Sequence, residues 1–310
     1  MRYRTLGLCL LILFVAIGGC SGDLTKTPEF DGQRAYQYLV DQVGFGPRVP
    51  GTEASAKCRD YLYRFFDSLK IAVDSQEFNF FDPYSAREIR MVNIIASVTP
   101  IGTDTRSRVL LMAHYDSRPR AEHSVDPAMQ ERPIDGANDG ASGVAVLMEL
   151  ANLFAAKPPA IGIDIALVDG EDWGKESDHD LYMLGSREFA RHNIRNRYKY
   201  GIVVDMVGDK DQNIYKEAYS EMYAAKLNDL VFATAAKLGV HTFIDSVKYT
   251  IQDDHLSLIT AGVPSVDIID FDYPYWHTVQ DTSDKCSGES LANVGRVLAT
   301  ILYSGRESIE

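Results

Sequence analysis

The sequence predicts an α/β fold with a mostly parallel central sheet and helices on both faces. Three observations predict it. From residue 107 onward, short apolar runs of strand length alternate with segments whose apolar residues recur at helical spacing. The short runs are dominated by apolar residues, as strands covered on both faces are. Each leads into acids or histidines, at the carboxyl ends where parallel sheets bind ligands.

The elements follow in order. Residues 34–43 and 54–69 read as helices, joined by the turn-rich loop Gly-Phe-Gly-Pro-Arg-Val-Pro-Gly at 44–51. Residues 71–80 and 91–98 read as strands, interrupted by Asp82-Pro83-Tyr84. Residues 109–112 are a buried strand. Residues 141–154 are a helix in which Val144, Leu147, Met148, Ala151 and Phe154 share a face. A strand at 161–168, a short helix at 185–192, a strand at 202–206 and a helix at 222–238 come next. A strand at 266–269 and a helix at 290–303, with Ser287 as its N-cap, complete the series. No repeat, low-complexity tract or linker interrupts residues 30–310, so they are expected to form a single catalytic domain.

The chain has 310 residues, 45% of them hydrophobic, enough for the core of one large α/β domain. Its net charge of −13 argues against nucleic-acid binding, which needs basic patches. At the N-terminus, Arg2 and Arg4 precede an apolar run at 6–17. That run is shorter than the ~20 residues needed to span a bilayer, and reads as a secretory signal. Gly18-Gly19 before Cys20 resembles the lipobox of bacterial lipoproteins, where the cysteine is lipidated after cleavage. Ser21 follows, in place of the aspartate that tends to retain such proteins in the inner membrane. The expectation is a lipoprotein signal peptide at 1–20, a tether at 21–29, and an exported protein that faces the periplasm or is anchored at the outer membrane. Its contact with the membrane is then through lipid on Cys20. The mature body keeps Cys58 and Cys286, which in an oxidising compartment either form one disulfide or remain two buried thiols.

The strand ends carry the chemistry. The strand at 109–112 leads to His114-Tyr115-Asp116, and that at 161–168 to Asp169-Gly170-Glu171-Asp172. The strand at 202–206 carries Asp205, and 266–269 leads towards Trp276-His277. Asp139 joins them inside Gly-Ala-Asn-Asp-Gly-Ala-Ser-Gly at 136–143. The only two tryptophans, Trp173 and Trp276, adjoin the acidic pair and His277. His114, Asp139, Asp172, Asp205 and His277 offer imidazole nitrogen and carboxylate oxygen without thiolate, a set suited to catalytic zinc. Two metals sharing a bridging carboxylate use all five; one metal uses three.

These residues resemble the zinc exopeptidase superfamily, which holds two-zinc aminopeptidases and animal-type glutaminyl cyclases. The resemblance covers about residues 30–305. Its carriers are Phe-Gly-Pro-Arg-Val-Pro-Gly-Thr (45–52), Ala-His-Tyr-Asp-Ser-Arg (113–118), the Asp139 loop (136–143), Asp-Gly-Glu-Asp (169–172), Gly-Ser-Arg-Glu-Phe-Ala (185–190), Gln-Asp-Asp-His (252–255) and Trp-His-Thr (276–278). It implies a three-layer sandwich, zinc, and peptide or protein N-termini as substrates. The cyclase pattern implies one zinc on Asp139, Asp172 and His277. Glu171 is then the proton shuttle, Asp205 and Asp253 acids beside it, and His114 a neighbour that binds no metal. Trp276 before the histidine, and Asp253 where aminopeptidases commonly carry serine, favour this branch. Trp173 is the candidate for a second pocket wall. Asp172 departs from the glutamate of animal cyclases. The expected function is a zinc-dependent glutaminyl-peptide cyclotransferase, an acyltransferase that converts N-terminal glutamine to pyroglutamate and releases ammonia. The alternative is an aminopeptidase with two zincs, the second held by His114 and Asp205.

Overall fold

The computed structural model describes residues 27–99, 108–192, 194 and 197–304. The expected signal peptide, Cys20 and residues 21–26 of the tether lie outside them. Helices α1 (Gly32–Val43) and α2 (Glu53–Ser68) start at Asp31 and Thr52. The side-chain oxygens of those two residues accept the otherwise unpaired N–H groups of Arg34 and Ser55. Strands β1 (Ala72–Asp82) and β2 (Arg87–Val98) form an antiparallel hairpin. Then come β3 (Arg108–His114), α3 (Ala141–Ala156), β4 (Gly162–Val168), α4 (Leu184–Ala190) and β5 (Tyr198–Asp205). The chain continues through β6 (Ile214–Glu217), α5 (Ala218–Lys237), β7 (Phe243–Tyr249), α6 (Asp254–Thr260), β8 (Ser265–Ile269) and α7 (Gly288–Tyr303).

The main sheet has the order β1-β2-β4-β3-β5-β8. β4, β3, β5 and β8 run parallel, and the hairpin closes one edge antiparallel. Side chains alternate across it, as a period of two requires. Val109, Leu111 and Ala113 of β3 face one core with α1, α2, α3, α5 and α7. Leu110 and Met112 face the other, with Phe189 of α4 and Leu258 of α6. Helices on both faces therefore bury every residue of β3 and β4.

The strand order fixes where a site can form. From β3 the chain steps to β4 on one side, then returns to β5 on the other. That reversal leaves a crevice beyond the carboxyl ends of β3 and β5, where open α/β sheets bind ligands. His114 ends β3 and Asp205 ends β5.

Three elements go beyond the predicted series. β6 and β7 pair as a small parallel sheet of their own, and α6 is a helix of seven residues. The helix expected at 222–238 begins at Ala218, capped by Glu217, and is kinked at Ala224. Of the two alternatives for the mature cysteines, the structure has free thiols and no disulfide: Cys58 and Cys286 are both buried. Burial pushes the Cys58 thiol up to about 11, which removes the thiolate needed for exchange.

Candidate metal centre

Backbone turns bring the ligands together. Arg48, from the Pro-Arg-Val-Pro loop, is fully buried and spends its guanidinium on carbonyls. It donates to Tyr115 at 3.0 Å, and to Asp135 and Gly136 at 2.6 Å each. It thereby ties the segment after β3 to the turn that carries Asp139. Gly140 has φ +99°, and a Cβ there would lie 2.6 Å from the Asp116 carbonyl and 3.0 Å from the His114 ring. At Gly143 a Cβ would meet the Val204 carbonyl at 2.0 Å, so the first turn of α3 sits directly on β5. This contact carries Asp139 to the end of the sheet.

Two carboxylates each grip a pair of consecutive amides. Asp116 accepts from the N–H of Glu171 at 3.2 Å and of Asp172 at 3.3 Å. Asp281 accepts from the N–H of Asn138 at 2.8 Å and of Asp139 at 3.1 Å, and from the Tyr273 hydroxyl at 2.7 Å. The two acidic loops are thus oriented by buried hydrogen bonds, each strong because its acceptor is charged. Met206 and His277, on the other two approaches, have φ of 45° and 55°, and Met183 has 57°. Left-handed backbone at non-glycine residues is a cost that clusters at functional sites.

All five predicted ligands converge. His114 Nε2 lies 3.1 Å from Asp205 and 3.2 Å from Asp139. His277 Nε2 lies 3.4 Å from Asp172 and 3.7 Å from the other oxygen of Asp139. Asp139 therefore stands between two triads, His114–Asp139–Asp205 and Asp139–Asp172–His277, both buried. The spacings are close to the ~3.3 Å that separates donor atoms around tetrahedral zinc. On the His277 side, Asp139 Oδ2 and Asp172 Oδ2 are buried with no hydrogen-bond partner. Buried carboxylate oxygens left without a partner, in a cluster that also holds an imidazole, fit a cation there.

The electrostatics separate the two triads. Burial opposes a charge on His114, but Asp205 and hydrogen bonds to Asp116, Asp139 and Asp205 outweigh it and raise its pKa well above the usual value. Burial lowers His277 below its usual value despite Asp172, leaving a neutral ring able to coordinate. Asp172 is held well below the carboxylate range: burial pushes it up, but Arg118, then His277, overcome it. Arg118 is fully buried and pairs with Asp172 Oδ1. It is itself fixed by Glu122, at 2.7 and 3.0 Å, and by the Tyr182 hydroxyl at 2.9 Å.

Glu171 and Asp253 are also here. Burial, then the charge of Asp253, raises Glu171 well above its usual value. Burial, then Asp205, raises Asp253 to about 6. Asp253 caps α6, accepting from the Asp254 N–H at 2.5 Å. Behind it lies a third buried triad, Asp253, His255 and Asp267, with Glu217 3.1 Å from His255 Nε2.

A cavity of about 320 Å³ opens onto His277, lined by Trp276, Phe271, Ile251, Gln252, Tyr182 and His179 among others. Trp276 packs 4.8 Å from Phe271, 4.9 Å from His123 and 3.9 Å from its neighbour His277. Trp173 does not share this position. Its indole N–H donates to Asp82 at 3.1 Å and its ring packs on Phe80, so it braces the β1–β2 hairpin and does not line this cavity. Tyr273 is likewise structural, through Asp281, whereas Phe271 lines the cavity. Arg48, Asp116, Arg118, His123 and Asp281 were not assigned roles from sequence. A buried arginine or aspartate has no local pattern that marks it as buried.

Comparisons with known proteins agree with this geometry. Peptidase family M28 matches residues 93–302. The crystal structure of Tannerella forsythia glutaminyl cyclase superposes with a TM-score of 0.84 at 40% identity, over 89% of this chain and 99% of that one. A leucine aminopeptidase precursor from Bacteroides thetaiotaomicron VPI-5482 superposes with a TM-score of 0.85 at 36% identity, over 89% and 98%. The glutaminyl-peptide cyclotransferase of Boiga dendrophila is 21% identical over 288 residues, 81% of this chain and 75% of that protein.

Proposed function

Because the chain belongs to peptidase family M28, and to the branch whose members include bacterial glutaminyl cyclases, we propose that it converts the N-terminal glutamine of peptides to pyroglutamate and releases ammonia. The cavity that ends on His277 carries this reading. It is walled by Trp276 and Phe271, flat apolar surfaces against which a glutamine side chain can be held folded beside His277.

The site supports one zinc, held by Asp139, Asp172 and His277. The orphaned oxygens of Asp139 and Asp172 lie on that side, while His114 is engaged by three carboxylates. Bound there, zinc supplies a Lewis acid that polarises the substrate's γ-amide carbonyl. The chain's own residues do the rest. Trp276 holds the glutamine side chain folded, with its α-amine against the carbonyl carbon of the side-chain amide, Cδ. Glu171 takes a proton from the attacking amine and returns it to the departing nitrogen. One C–N bond forms, one breaks, and ammonia leaves, with no water consumed. Burial, then the charge of Asp253, makes the Glu171 carboxyl more basic than usual, which suits both transfers.

A second reading rests on the intact His114–Asp139–Asp205 triad, which in a two-zinc aminopeptidase holds the second ion. Purified protein incubated with glutaminyl peptides and with leucyl or alanyl peptides separates the two. Ammonia release from the first without shortening supports cyclisation; free amino acids without cyclisation overturn it. Zinc-to-protein ratios of one and two give the same division. Lipidation of Cys20 and export towards the periplasm or outer membrane belong to the same proposal, and rest on the Gly18-Gly19-Cys20 sequence. Mass spectrometry of the membrane-extracted protein tests them.

A further inference from the structure

A second cavity, of about 570 Å³, lies between α4 and α6. Gln252 lines both it and the pocket at His277, and Tyr182 of one precedes Met183 of the other. The two cavities adjoin at Gln252. The floor of the second is apolar, from Met183, Leu256 and Ala261, and its wall carries Arg187 and Arg191.

The charge on this wall is unusual for the molecule, whose net charge is −13. Arg187 donates to the carbonyls of Asp180 at 2.7 Å and His179 at 3.0 Å. Among the described residues no carboxylate pairs with it. Arg191 holds Glu188 at 2.9 Å and is otherwise exposed. Two guanidinium groups above an apolar floor offer packing for a peptide and ion pairing for a carboxylate.

From this we infer that the groove between α4 and α6 binds the substrate segment that follows the N-terminal glutamine, and prefers an acidic side chain there. The inference rests on the cyclase reading and adds a substrate class to it: peptides whose early residues include aspartate or glutamate. Because Arg187 also holds the His179 carbonyl, and His179 lines the catalytic pocket, occupancy of the groove bears on the pocket's wall.

The test uses alanine-based peptides with N-terminal glutamine, in which glutamate or lysine is walked from the second residue to the fifth. At one position the glutamate peptide should exceed the lysine peptide in kcat/KM by about three- to tenfold, the yield of a partly exposed charge pair. The ratio should shrink as salt rises. In the doubly reversed variant, Arg187→Glu with Arg191→Glu, lysine should become the preferred residue. The ratio is read because a displaced loop lowers both rates together and cannot invert it. Equal turnover of the two series at every position, or a glutamate preference that survives the reversal, overturns the subsite. If no peptide cyclises, the cyclase reading itself falls and takes the subsite with it.

Discussion

Asp172 uses one carboxylate oxygen, Oδ1, for both Arg118 and, at 3.4 Å, His277, and leaves Oδ2 buried without a hydrogen-bond partner. Its side chain is shorter than the glutamate of animal cyclases, so its position depends on what holds it. The Asp116 carboxylate fixes its backbone and Arg118 fixes its side chain. Groups that orient a metal ligand typically cost 10- to 100-fold in affinity when removed. Arg118→Met should therefore weaken zinc binding by about that factor, measured by competition with a chelator. Unchanged affinity would mean that Arg118 serves packing alone. Glu171 lies beside this ligand but has a different task. Glu171→Gln keeps the shape and removes the proton carrier, so kcat should fall by about 10²- to 10⁴-fold with zinc content retained. Loss of zinc in that variant would reassign Glu171 as a ligand.

At the scale of elements, α5 shows how the site's support is built. Glu217 ends β6, caps α5 through the N–H groups of Tyr219 and Ser220 at 2.9 and 2.7 Å, and meets His255 of α6. Burial alone would raise this carboxyl, but the hydrogen bond and charge of His255, with the two N–H groups, bring it down to about 2. A depressed acid stabilises the fold above its unfolded value, here 4.5, and that contribution is lost as pH falls towards 2. The difference corresponds to about 3 kcal/mol. Glu217→Gln should lower the unfolding free energy at neutral pH and flatten its decline between pH 4.5 and 2, read by denaturant titration across that range. A parallel downward shift at every pH would contradict the linkage. None of β6, β7 or α6 was visible in the sequence. β6 spans four residues, β7 is largely exposed, and α6 holds seven residues, too few for a helical period to register. The long runs were legible because β3 and β4 are mostly apolar and α3 is apolar on a wide face. The five ligands were legible because strand ends gather them. The contacts of Trp173 were not legible, because adjacency to Glu171-Asp172 in sequence says nothing about which way the ring turns. Its N–H found Asp82 on the hairpin.

For the whole molecule, the sheet order determines the chemistry's location and the loops determine its kind. The reversal at β3 opens a crevice that would hold ligands whatever the enzyme did. Peptidase-type ligands fill it, and relatives named as cyclase and as aminopeptidase share the scaffold. The choice between their reactions lies in whether an amine or water reaches the carbonyl. Trp276 and Phe271 wall the pocket, and burial, then Asp253, raises Glu171 towards the protonated form that a proton shuttle between nitrogens would need. This makes the fate of water the most direct measurement. A glutaminyl peptide is incubated with the enzyme in heavy-oxygen water and its products are weighed by mass spectrometry. The account predicts a single peptide product lighter by one ammonia and free of solvent oxygen. Heavy oxygen in a released amino acid or in a glutamyl peptide would show that water is the nucleophile, and would contradict it.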